Sequence, residues 1–277
     1  MRSVYIFSLC MPIKRIEITS VGQLIDEVTP NEPDPVTGRH RDTGVYRGSF
    51  DPARPLLTSL DRLGGVEPPH SKARLEGHIL RNFIRYSRPY LPHTTPADDW
   101  ELLFTAQHHG VPTRLLDWTY SPLVAAHFAT TARPAHRGPR AVWRLDWMQV
   151  HEAFGLPRLA LLIQDLDQYF GRGRHFTPAD LFDEQAPREP FVCMVEPPSL
   201  DARIVAQSAT FTLCSDTSRP FDAFLEAHGL ASALTKFIIP ADAVPRVRDQ
   251  LDLASVDERR LFPDLDGVAA AIRRYYA

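Results

Sequence analysis

The feature that most restricts the folding of this 277-residue chain is the stretch QHHGVPTRLLDWTYSP at 107–122, set between two apolar helical patterns. Trp100, Leu103 and Phe104 share one face of the preceding pattern, and the run from Leu123 to Ala129 reads as a buried helix capped by Ser121. Packing both helices into a core carries the intervening donors and acceptors inward, where each must find a partner. Gly110 and Pro112 make a rigid turn. Thr113, Arg114, Asp117, Trp118, Thr119 and Ser121 then surround the short Leu115-Leu116 pair. Two readings stay open. Either the network is a binding site, or it is internal, with Arg114 paired to Asp117, His108 and His109 bonded to carbonyls, and Thr119 and Ser121 capping the next helix.

Other chemistries lack their patterns. His108 and His109 are adjacent and miss the helical spacing of a zincin, so no metal is expected. No GxSxG elbow accompanies the Ser, His and Asp residues. Cys10, Cys193 and Cys214 are odd in number and form no CxxC, which argues against a disulfide framework and fits a reducing, cytoplasmic compartment. The apolar run at 4–13 is too short to span a bilayer and lacks a cleavage site, so no membrane partner is expected, and Met11 is an alternative start. A formal net charge of −3 supplies no overall attraction for nucleic acid. Lys14, Lys72 and Lys236 are the only lysines among 31 basic residues, a bias that reads as coding composition.

The chain opens with a strand at 16–18, then a helix marked by the Ser20/Gln23 capping box and by Leu24, Ile25 and Val28. A loop at 29–44 precedes a strand at 45–48, in which Tyr46 and Arg47 point to opposite faces. Residues 51–71 are proline-rich and irregular. Helices are expected at 71–88, with Leu75, Ile79, Leu80, Phe83 and Ile84 on the apolar face, and at 98–108. Strands follow at 141–145, 203–213 and 235–240, and helices at 242–251 and 267–276, with an embellished region at 150–190. Interspersed strands and helices without a βαβ beat predict one α+β domain at 16–277, preceded by a flexible segment at 1–15.

Tyr46-Arg47-Gly48 and the segment from Gln107 through Thr119 resemble the two signatures of the FRG domain family. Arg203-Ile-Val-Ala-Gln207 with Phe211, Phe237-Ile-Ile-Pro and Leu261 to Gly267 extend the likeness. The resemblance implies a split, mixed sheet of ADP-ribosyltransferase type and NAD as substrate. It assigns Tyr46, Arg47, Gly48, His108, His109, Thr113, Arg114, Trp118, Thr119 and Ser121 to nucleotide binding, with Gly48 admitting the ligand to the backbone and Trp118 or Tyr120 stacking on nicotinamide. It places Arg47 and Gln207 in the catalytic set, with Gln207 standing where the family fold carries a glutamate on a later strand, and Asp117 and Glu76 are the acidic groups that would substitute for that glutamate. A bacterial toxin or phage-defence role, with a protein or nucleic acid as acceptor, goes with that reading. The alternative is a non-catalytic module that uses the same cleft to recognise a nucleotide, nucleic acid or protein.

Overall fold

The computed structural model describes residues 12–64, 66, 70–90, 98–131, 137–182, 189–197 and 202–276. Its strands are β1 (Lys14–Glu17), β2 (Val45–Ser49), β3 (Leu115–Thr119), β4 (Arg140–Leu145), β5 (Val192–Val195), β6 (Ala209–Cys214) and β7 (Leu234–Ile239). They form one sheet in the order β1-β7-β4-β2-β3-β6-β5. The β1–β7 pair is parallel and the other pairs are antiparallel. The helices are α1 (Val21–Val28), α2 (Lys72–Ser87), α3 (Asp99–His108), α4 (Pro122–Thr130), α5 (Trp147–Ala153) and α6 (Asp165–Phe170), followed by α7 (Ala179–Phe182), α8 (Ala202–Ala206), α9 (Phe221–Ala227), α10 (Val244–Leu253), α11 (Glu258–Leu261) and α12 (Leu265–Tyr275). This is the mixed α+β arrangement expected from the pattern.

Local signals set several helix starts. Ser20, Ser71, Asp98 and Ser121 each accept the backbone N–H three residues ahead at the first turns of α1, α2, α3 and α4. Other expectations need correction. Strand β1 begins at Lys14, so the last part of the segment expected to be flexible is paired with β7, while residues 1–11 lie outside the described residues. The strand expected at 203–213 is helix α8 followed by β6, broken at Ser208, whose φ of 47° no strand accommodates. Its Ile204-Val205 pair has β propensity, yet Ile204 is buried and Val205 exposed on a helical turn. Strand β5 went unrecognised because all four of its residues are buried, which leaves no alternation to read. On α2 the buried positions are Ala73, Glu76 and Leu80, and Ile84 is exposed.

Strand alternation divides the core. One face of the sheet carries Val45, Trp118, Trp143, Leu145, Met194 and Leu234, covered by Phe221, Phe224 and Leu225 of α9. The opposite face holds two separate clusters. Leu115, Leu213 and Cys193 pack beneath Trp100 and Phe104 of α3, whereas Tyr46, Val142 and Phe237 pack beneath α1, α4 and α10. The division between them falls at the seam of β2 and β3, whose register is the single pair Tyr46 with Thr119.

Helix α4 is pressed onto the seam. A Cβ on Gly48 would lie 2.3 Å from the Ala125 carbonyl oxygen and 2.5 Å from the Ala129 nitrogen, so only glycine lets α4 sit this close to β2. Gly48→Ala is expected to cost about 1–3 kcal/mol through overpacking, measured as a lower urea midpoint. The far side of α4 is held by His127, whose Nδ1 lies 3.2 Å from the Val256 carbonyl oxygen and 3.1 Å from Arg248 Nη1. Burial and the Arg248 charge push its pKa down to about 4, although Glu258 pulls the other way. An unfolded histidine takes its proton near pH 6.5, so the unfolded chain binds more protons between there and about 4. Stability is therefore expected to fall as pH drops through that window, and His127→Gln to flatten the dependence of the urea midpoint on pH between 7 and 5.

Candidate functional site

A cavity of about 430 Å³ opens at the β2–β3 seam, lined by residues of both strands, the end of α3, α4 and the α8–β6 turn. The strands part beyond Tyr46, and the Arg47 side chain bridges the gap. Its Nη1 donates to the Asp117 carbonyl oxygen at 2.6 Å and lies 3.3 Å from Asp117 Oδ2. The other carboxylate oxygen accepts from Gln107 Nε2 at 2.8 Å. Gln107 Oε1 in turn accepts from Thr113 Oγ1 at 2.6 Å and from Ser59 Oγ at 3.3 Å. Asp117 is thus oriented from two sides, yet its side chain remains 50% exposed and faces the cavity. It is the one carboxylate among the described lining residues.

The expected residues separate into those at the cavity and those in the frame around it. Tyr46, Arg47, Gly48, His108, Asp117, Trp118, Thr119 and Gln207 line it. Tyr46 donates its hydroxyl to Asp42, and burial together with that carboxylate raises the phenol pKa, so the group stays protonated. Asp42 also holds Arg144. Trp118 is buried, with Nε1 donating to Thr212 Oγ1 at 3.0 Å and its ring 6.0 Å from that of Phe221, a core position. Thr119 Oγ1 donates to the Gln207 carbonyl oxygen at 2.7 Å. Gln207 itself sits in the turn between α8 and β6, not on a strand, and its Nε2 donates to the Leu261 carbonyl oxygen at 3.0 Å.

Four expected residues serve the frame. The internal pair of Arg114 with Asp117 does not form. Arg114 instead donates from its backbone N and from Nε to the two oxygens of Glu76, at 2.7 and 2.6 Å. Its Nη1 and Nη2 reach the Ser215 and Leu181 carbonyl oxygens, and both charged side chains are 1% exposed. Neither Glu76 nor Arg114 lines the cavity, so the catalytic role expected for Glu76 has no geometric basis. Ser121 is occupied as the N-cap of α4, and Thr113 is buried behind Gln107. His109 is exposed at the end of α3, and Tyr120 turns away to Glu196 at 2.6 Å, so neither is among the lining residues. Among the described residues no group of three or more His, Cys, Asp or Glu side chains is placed to hold a metal ion, and no helix is long and apolar enough to cross a membrane.

Sequence reasoning missed Ser59, Arg62 and Phe50, all from or beside the proline-rich stretch that looks irregular. That stretch is clamped to the long motif: Thr113 N donates to Ser59 Oγ at 3.0 Å and Leu60 N to the Thr113 carbonyl at 3.1 Å. No local periodicity signals such a clamp.

Residues 42–138 match the family model of the FRG domain, a stretch that contains β2, the helices α2 and α3, β3 and α4 and ends before β4. No curated protein and no solved structure matches the chain.

Removing one partner of a buried ion pair leaves the other uncompensated. Glu76→Ala is therefore expected to destabilise the fold by about 3–5 kcal/mol in urea denaturation. A Glu76 that acted on substrate would lower turnover and leave the denaturation midpoint in place.

Proposed function

We propose that the seam cavity binds NAD or a related nucleotide and that the chain is an ADP-ribosyltransferase-like enzyme. The observation that carries this reading is the meeting of Arg47 and Asp117 inside one cavity, although they come from strands far apart in sequence. A guanidinium fork suits a pyrophosphate or ribose, and Phe50, Phe128 and Phe211 supply apolar wall for a base or nicotinamide ring. Thr119 and His108 add polar groups beside it.

In the proposed reaction the bond between ribose C1′ and the nicotinamide nitrogen breaks, and its electron pair leaves with nicotinamide. The resulting oxocarbenium-like carbon is captured by water or by a nucleophile of a protein or nucleic acid, which then loses its proton. Asp117 carries the negative charge that favours such a transition state. Gln207, held by the Leu261 carbonyl, is neutral and orients the α8–β6 turn under Thr119. The bacterial toxin or phage-defence setting belongs to the same proposal.

One observation favours a second reading. Both Asp117 oxygens already accept hydrogen bonds, from Arg47 and Gln107, as they would in a recognition module without catalysis. Two substitutions distinguish the readings. Arg47→Ala is expected to weaken NAD binding by about 1.5–3 kcal/mol, the worth of a charge-assisted bond. Asp117→Asn keeps the shape and is expected to lower the rate of nicotinamide release with little change in affinity. Calorimetry and a nicotinamide-release assay measure the two effects. Wild-type protein that binds NAD yet releases no nicotinamide with any offered acceptor is a binding module.

A further inference from the structure

A second cavity of about 300 Å³ adjoins the first and shares Arg47, Gly48, Phe50 and Arg62 with it. Ser49, Arg54 and Trp143 complete its polar lining, and no Asp or Glu is found among its described lining residues. Arg62 donates from Nη1 to the Leu57 carbonyl oxygen at 3.1 Å, the one hydrogen bond of its side chain among the described residues, and Arg54 lies over the Phe50 ring at 4.9 Å. Among the described residues neither meets a carboxylate at ion-pair distance. Partial desolvation and the neighbouring Arg47, then Arg54, lower the Arg62 pKa, although Asp117 and more weakly Asp61 pull the other way, so like charges converge here with only distant carboxylates to offset them.

The wall also holds an unpaired donor. Trp143 is 1% exposed, and its Nε1–H is buried with no hydrogen-bond partner among the described residues. Lys236 stands 3.8 Å from the centre of the same ring. An indole nitrogen is donor only, and buried donors left unpaired are uncommon in folded proteins. Three guanidinium groups and one orphaned donor ask for an oxyanion with several acceptor oxygens. Asp117, 3.3 Å from Arg47 and already bonded to Gln107, offsets one of the three charges.

We infer that this second cavity is a phosphate subsite, in which Arg54, Arg62 and Trp143 hold phosphate oxygens while Arg47 stands at the junction. The excess of positive charge suits the multiple charges of a phosphate ester or pyrophosphate better than a single carboxylate. The ligand class is then a nucleotide whose nucleoside occupies the larger cavity and whose phosphates reach the smaller one. That second statement rests on the nucleotide reading above; the anion subsite does not.

Inorganic pyrophosphate is the probe, titrated at low salt into the full chain by calorimetry and tryptophan fluorescence. Arg54 and Arg62 are exposed, so Arg54→Gln and Arg62→Gln are expected to keep the melting temperature. Each is expected to weaken pyrophosphate binding roughly tenfold or more through loss of a charge-assisted bond. In Trp143→Phe the fluorescence response is expected to disappear. Wild type that does not bind pyrophosphate, or that binds it no better than both arginine variants, overturns the subsite. Nicotinamide release, followed in parallel, separates the two proposals. Pyrophosphate bound through Arg62 without nicotinamide release keeps the subsite and removes the enzyme, and release without pyrophosphate binding does the reverse.

Discussion

Arg114 enters β3 with its guanidinium enclosed, and its donors go to the Glu76 carboxylate and to the carbonyls of Leu181 and Ser215. Those partners lie on α2, on α7 and just beyond β6, so a single side chain joins four parts of the fold at the start of the strand that bears Asp117. Enclosing both charges costs desolvation that only complete pairing offsets, which makes the arrangement intolerant of partial satisfaction. Its consequence is positional. With Arg114 anchored, Leu115 and Leu116 must point to opposite faces of the sheet, and Asp117 follows on the face toward the cavity.

The second constraint is the seam. Strands β2 and β3 share one register pair before parting, and α4 lies against β2 where Gly48 has no side chain. A continuous ladder would have closed the gap with backbone hydrogen bonds. Instead the Arg47 side chain donates to the Asp117 carbonyl, satisfying an acceptor while leaving space beside it. The cavity therefore lies between two core clusters that never merge on that face of the sheet.

Charge is distributed unevenly around that opening. Both cavities are lined by Arg47 and Arg62; the larger adds Arg203 and the carboxylate of Asp117, whereas the smaller adds Arg54 and an indole with no described acid. Gln107 links this electrostatic pattern to the fold, because its carbonyl is fixed by Thr113 and Ser59 while its amide fixes Asp117.

Much of this was legible along the chain. The N-caps at Ser20, Ser71, Asp98 and Ser121, the glycine that ends α3, and the polar stretch between two apolar helices are local signals, each set by interactions within a few residues. They were enough to mark α4 as buried and 107–122 as a candidate site, whereas Arg47 joined Asp117 in the reading only through the resemblance to a family. Tertiary structure alone decided which charges pair. Arg114 could have faced Asp117 nearby, but burial beside α2 selected Glu76 and released Asp117 to Arg47 and Gln107. It also placed Gln207 in a turn and brought an irregular proline-rich loop to the long motif through Ser59. Ion-pair choice and loop docking depend on distances between segments remote in sequence, and residue spacing carries no record of them.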